Sequence, residues 1–111
     1  LATLRQYDAR AVFVVVDNGT YGTIRMHQER TYPGRVSGTR LASPDFAALA
    51  RAYGGHGERV ERTEDFAAAF DRAVASGKPA MIELVLDPEA LSAGATLSQT
   101  RAQGEAAAQK D

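Results

Sequence analysis

Ala11-Val12-Phe13-Val14-Val15-Val16-Asp17-Asn18-Gly19-Thr20-Tyr21-Gly22 is the stretch whose reading decides the fold. Ala11 to Val16 is apolar throughout, with four valines and no polar alternation. β-Branched side chains fit a pleated, extended backbone, and an unbroken apolar run reads as a parallel strand buried on both faces. Asp17-Asn18-Gly19 then stops it, because these residues tolerate positive φ and hydrogen-bond to their own backbone. In an open parallel sheet, ligands collect at such strand ends.

Working outward, Leu1 to Tyr7 reads as a short amphipathic helix with Leu1 and Leu4 on one side. It begins without a cap, so a longer parent chain is expected. After the loop, a short helix is expected over Thr23 to Arg30, then an irregular stretch, 31–41, carrying Pro33, Gly34 and Gly38. Ser43-Pro44-Asp45 reads as an N-cap, a proline at the first helical position and an acid in the first turn. Phe46, Leu49, Ala50 and Tyr53 give that helix its stripe, and Gly54-Gly55 stop it. A brief strand is expected over Glu58 to Glu61. Thr63 is then read as the cap of a helix with Phe66, Ala69, Phe70, Ala73 and Val74 as its apolar face. Ala80 to Leu86 is the last strong strand, ended by Asp87-Pro88.

Strands alternating with helices through short connections make the chain α/β, part of a doubly wound parallel sheet. Residues 1–88 are assigned to that domain. Residues 89–111, rich in Ala, Gln and Ser, are read as a tail, partly helical or disordered, that needs a partner surface.

Composition excludes several classes. Thirteen basic and fourteen acidic side chains nearly cancel, which argues against general nucleic-acid or membrane-surface binding. Without cysteine there is neither a disulfide framework nor a thiolate metal site. The longest apolar run has six residues, against the roughly 18 of a spanning helix. No secretory leader opens the chain, so a cytoplasmic protein is expected.

Hard oxygen donors on a tight glycine loop suit Mg²⁺, which keeps few protein ligands and takes the rest from phosphate and water. Asp-Asn-Gly is also ordinary turn chemistry, and from these residues alone both readings stand. The context extends the signal. Val12 to Gln28, with its buried strand, Asp-Asn-x-x-Tyr-Gly and following helix, resembles the end of the thiamin-diphosphate motif of acetolactate synthase-like and benzoylformate decarboxylase-like enzymes. Leu1-Ala2-Thr3, Tyr32-Pro33-Gly34-Arg35, Ser43 to Ala50 and Gly77 to Pro88 continue the resemblance over residues 1–98.

The resemblance implies a flavodoxin-like, thiamin-diphosphate-binding fold. It implies that the Asn18 side chain and the Thr20 carbonyl coordinate Mg²⁺, and that the metal holds the cofactor diphosphate. Gly19 would allow the turn, and Tyr21 and Gly22 would shape the loop beside the diphosphate. Asp17 stands where the family has asparagine and is expected to fix the loop. The family's Gly-Asp-Gly, with the other protein ligand for Mg²⁺, would lie upstream of Leu1. The glutamate that activates the cofactor's aminopyrimidine would lie on a neighbouring subunit. No catalytic residue is therefore assigned here, and the isolated residues are expected to be inactive. The implied activity of the parent is decarboxylation of a 2-oxo acid or carboligation, in a homodimer or homotetramer. The alternative is a non-catalytic α/β module that binds a phosphate ligand or a partner protein.

Other features are given modest roles. Arg25, Arg30, Arg35 and Arg40 recur every five residues, which favours a solvated loop or one salt-bridged to a missing domain or subunit; the resemblance suggests a mobile loop near the active-site mouth. His27 reads as a plain helical histidine, His56 as a loop residue, and Glu83 as a strand-edge or interface carboxylate paired with an arginine.

Overall fold

A computed structural model describes residues 1–109. Along the chain, α1 (Ala2–Gln6) leads to β1 (Val12–Asp17), α2 (Gly22–Thr31), α3 (Phe46–Ala52) and β2 (His56–Val60). A 3₁₀ turn at Thr63–Asp65 precedes α4 (Phe66–Ala75), β3 (Ala80–Val85), β4 (Ala90–Ser92), β5 (Ala95–Thr96) and α5 (Leu97–Ala108). Two compact units result: Leu1–Asp17 with Ser43–Leu86, and Asn18–Ala42 with the chain from Asp87 onward.

The first unit is a parallel sheet of order β1-β3-β2, so the expected α/β class holds. Central β3 is buried at four successive residues, Ala80 to Glu83. Its Ala80 and Ile82 join Val60 and the α4 alanines Ala69 and Ala73 in one core cluster. On the opposite face α3 lies so close that a Cβ on Gly57 would stand 2.1 Å from the Ala47 carbonyl oxygen. Small residues on both sides bring helix and sheet backbones together at close-packed density. On that face Arg59 donates to Oε1 of Glu83 at 2.7 Å, the arginine partner expected for it. Glu83 is, however, buried on the central strand rather than at an edge or interface, because β1 and β2 flank that strand on both sides.

Four other local expectations are corrected. β1 is not buried on both faces: Phe13, Val14 and Val16 are 40, 41 and 60% exposed. Among the described residues it pairs with β3 alone, while α3 and α4 pack on β2 and β3. The cap of α3 is Asp45, whose side chain accepts from Ala48 N at 2.7 Å; the Ser43 hydroxyl is spent on Asp17. Thr63 opens a 3₁₀ turn without capping α4 through its side chain. His56 starts β2 rather than lying in a loop, and its Nε2 is 2.6 Å from Glu58 Oε1.

The second unit combines α2, α5 and the β4–β5 hairpin. Helix α5 opens with a reciprocal capping box, Thr96 with Gln99. Gly104 of α5 meets α2 where a Cβ would lie 2.5 Å from the Glu29 carbonyl oxygen. Residues 97–108 of the expected tail thus form a helix packed within their own unit; Lys110 and Asp111 lie outside the described residues. Among the described residues, no helix is long and apolar enough to cross a membrane.

Candidate functional site

β1 ends at Asp17, whose carbonyl accepts from Leu86 N at 2.8 Å and whose Oδ1 accepts from the Ser43 hydroxyl at 2.8 Å. Both contacts lie within the first unit and fasten the strand end from which the loop departs.

The loop Asn18–Gly22 belongs to the second unit. Gly19 sits at φ +62°, a left-handed conformation that costs other residues steric energy. Thr20 then forms an antiparallel bridge with Arg40. The bridge is made by flanking groups: Leu41 N donates to Gly19 O and Tyr21 N donates to Thr39 O, each at 2.9 Å. The Thr20 hydroxyl adds a 2.6 Å bond to the same Thr39 oxygen. Thr20 N turns the other way and donates to Asn18 Oδ1 at 3.1 Å. Among the described residues, the Thr20 carbonyl accepts no hydrogen bond.

Asn18 Oδ1 keeps a second lone pair after that single bond. Gly22 opens α2, and a Cβ there would press on Asn18 Nδ2 at 3.0 Å. Tyr21 is the N-cap of α2, with its side chain half exposed. Asn18, Gly22, Thr23, Met26, Ala90 and Leu91 line a cleft of about 210 Å³. Among the described residues, no group of three or more His, Asp or Glu gathers into a metal site. The donors on offer are an amide oxygen and a backbone carbonyl oxygen, the hard, uncharged kind that Mg²⁺ accepts alongside phosphate and water.

Behind the loop stands Glu29, 1% exposed. Its carboxylate accepts from Arg101 Nε and Nη2 at 2.9 and 2.8 Å, from Gly34 N at 2.7 Å, and from Arg25. These donors, Arg101 first, hold its pKa down to about 2 against the opposing effect of burial. The evenly spaced arginines therefore diverge: Arg25 serves Glu29, and Arg35 lies 5.8 Å from the centre of the Tyr32 ring. His27 is an exposed residue of α2.

Sequence reasoning picked out Asn18 to Gly22 but missed the segment Thr39–Leu41 that pairs with them, and the Glu29 anchor. The bridge joins residues about twenty positions apart, and backbone pairing leaves no side-chain signature in either partner. The Glu29–Arg101 pair spans 72 positions and looks, in sequence, like two ordinary surface charges.

A family model described as thiamine pyrophosphate enzyme, C-terminal TPP binding domain, matches residues 1–84. The chain is 36% identical over 89 residues to a probable acetolactate synthase large subunit of Methanocaldococcus jannaschii, covering 79% of this chain and 15% of that protein. Against the acetolactate synthase isozyme 2 large subunit of Escherichia coli it is 32% identical over 88 residues, 78% of this chain and 16% of the relative. Against benzoylformate decarboxylase of Pseudomonas aeruginosa it is 33% identical over 79 residues, covering 71% of this chain and 15% of that enzyme. The chain thus spans 15–16% of the length of these curated relatives. With the family model covering most of its length, and strand, loop and helix in the order the motif requires, the chain belongs to the C-terminal thiamin-diphosphate-binding domain family of thiamin-diphosphate enzymes.

Proposed function

We propose that this chain forms the part of a thiamin-diphosphate site that grips the metal and diphosphate. Asn18 Oδ1 and the Thr20 carbonyl are the Mg²⁺ ligands, Gly19 makes the turn, and Tyr21 and Gly22 bound the loop beside the diphosphate. The observation that carries this reading is the Thr20 carbonyl, left without a hydrogen-bond partner next to an amide oxygen with a free lone pair. Thr20 is only partly exposed, and a hard cation would use both oxygens. Asp17, already holding Ser43, fastens the strand end rather than joining the metal.

The family supplies the chemistry through its cofactor, and the protein supplies binding and orientation. The names of the relatives support a parent enzyme that acts on 2-oxo acids, by decarboxylation or carboligation. In that reading residues 1–88 are the C-terminal portion of the cofactor domain and 89–111 follow it. In the same reading the sheet continues beyond β1, which is an edge strand here, and the rest of the domain covers Phe13, Val14 and Val16, which are exposed here; without it the isolated residues turn over nothing. A cytoplasmic homodimer or homotetramer, with sites completed between subunits, is part of the same proposal.

The test is Asn18→Ala in the full-length protein, read by calorimetry of thiamin diphosphate binding at several Mg²⁺ concentrations. Removing a metal ligand should weaken Mg²⁺-dependent cofactor binding by at least about tenfold. Unchanged binding would remove the metal assignment. Tight binding by the wild type with no turnover of any 2-oxo acid would leave a non-catalytic binding module.

A further inference from the structure

We propose that Thr39-Arg40-Leu41 is a positioning strap that sets the direction of both metal-binding oxygens of the neighbouring loop. The inference rests on the reading of Asn18 and Thr20 as ligands. A carbonyl ligand cannot be aimed by choosing a rotamer; its direction is fixed by the plane of its peptide group. The Thr20 carbonyl shares a peptide plane with Tyr21 N–H, and all peptide bonds of the described chain are trans. Tyr21 N–H is tied to Thr39 O at 2.9 Å, so the Thr20 carbonyl points away from the strap. The preceding peptide repeats the logic. Gly19 O is held by Leu41 N at 2.9 Å, so Thr20 N–H also points away, and there it holds Asn18 Oδ1 at 3.1 Å. One backbone pairing thereby turns the carbonyl and the amide oxygen to the same side.

Gly19, at φ +62°, adds conformational freedom to the loop backbone that the pairing restrains. The strap is itself anchored. Thr39 is 2% exposed, Gln28 Nε2 donates to Ser37 O at 2.7 Å, and Gly34 N donates to Glu29 at 2.7 Å. The segment that the sequence suggests as a mobile loop is therefore fastened to α2 at two points before it reaches the metal loop.

The strap is tested in the full-length protein by the Mg²⁺ concentration that gives half-maximal thiamin diphosphate binding, measured by calorimetry. Leu41→Pro deletes the N–H that holds Gly19, whereas Leu41→Ala keeps it. Thr20→Val deletes the hydroxyl bond to Thr39 while keeping the carbonyl, and Thr20→Ser restores it. Leu41→Pro should raise the Mg²⁺ requirement by about tenfold, the effect of losing a group that orients a ligand. Thr20→Val should raise it by about threefold, the worth of one modest hydrogen bond, with Thr20→Ser near wild type. Saturating Mg²⁺ should return cofactor affinity in both weakened variants, which a general loss of structure would not allow. If Asn18→Ala raises the Mg²⁺ requirement but Leu41→Pro and Thr20→Val do not, the site stands and the strap is overturned. If Asn18→Ala is silent, the site reading fails and the strap fails with it. Should Leu41→Pro not fold, the Thr20→Val and Thr20→Ser pair decides by the same readout.

Discussion

In the first unit Ala47 and Gly57 meet backbone to backbone, and Ala69 and Ala73 lie on Val60, Ala80 and Ile82. In the second unit the buried centre is a carboxylate, Glu29, ringed by Arg25, Arg101 and Gly34 N. One is cohesion by apolar area and close approach, which is non-directional and favours any arrangement that excludes water. The other is cohesion by directed, charge-assisted bonds, which fixes angles as well as distances. The loop proposed to hold the metal needs fixed angles, and it belongs to the second unit. Within its own unit, each kind of cohesion does a different job: the apolar core excludes water, and the polar network fixes orientation.

The largest expected effect breaks the apolar side of the contrast. Gly57→Ala would place its Cβ 2.1 Å from Ala47 O and 2.8 Å from Ala47 C and Cα, backbone atoms that cannot swing away. A loss of about 3 kcal/mol is expected, at the upper end for overpacking. Native-state hydrogen exchange in the full-length protein would read it locally. Amides of β2 and α3 should exchange on the order of a hundredfold faster, with those of α2 and α5 unchanged. Equal acceleration in both sets would mean that the two regions open as one.

Glu29→Ala is the mirror experiment. It leaves the Arg101 and Arg25 guanidinium groups facing a void, and breaking a buried ion pair from one side costs about 3 kcal/mol. Arg101 is 37% exposed and can recover water, so the loss should fall somewhat below that of Gly57→Ala. Here α2 and α5 should lose protection while β2 and α3 keep theirs.

Acid reads the same node without mutation. Glu29 has its pKa lowered from 4.5 to about 2, so the folded state favours the carboxylate and the unfolded state binds the proton more readily. The stability it contributes is complete above the unfolded pKa and is lost as the pH falls from about 4.5 toward 2. Protection of α5 should therefore fall between pH 5 and pH 3, and 0.5 M salt should change this little because the Glu29 carboxylate is buried. Glu58 in the first unit is also lowered, chiefly by Arg72. Arg72 is exposed and Glu58 only partly buried, so its effect should be small and erased by the same salt. Protection of α5 that is flat across this range would remove Glu29 as the centre of the second unit.

The same division explains what the sequence disclosed. Phe66, Ala69, Ala73 and Val74 repeat at helical spacing, and Val12 to Val16 and Ala80 to Leu84 are dense in apolar or β-branched residues, so the sheet and α4 were legible. Burial of β1 was not, because exposure depends on neighbours and not on composition; Val16 is as apolar as Ile82 but is 60% exposed. Asn18 to Gly22 could be found because turn chemistry is local. Thr39 and Leu41 could not, since they act through main-chain atoms that every residue possesses. Helix α5 carried one local sign, the Thr96-x-x-Gln99 box, masked by a segment with few bulky apolar residues.

Caps give the smallest effect, and one that should not distinguish the two regions. Asp45 accepts from Ala48 N at 2.7 Å at the start of α3, and Thr96 accepts from Gln99 N at 3.1 Å at the start of α5. Each satisfies an amide that the helix leaves without an internal partner. Asp45→Ala and Thr96→Ala should each cost about 1 kcal/mol and speed exchange mainly in the first turn of their own helix. Thr96→Ala leaves Gln99 N without its cap, while the reciprocal bond from Thr96 N to Gln99 Oε1 at 2.9 Å survives, because its donor is the backbone. If Thr96→Ala instead released the whole of α5, the Glu29–Arg101 pair would be too weak to hold the helix alone. The polar network would then be a passenger on local helix stability, and the contrast drawn between the two units would fail at its second term.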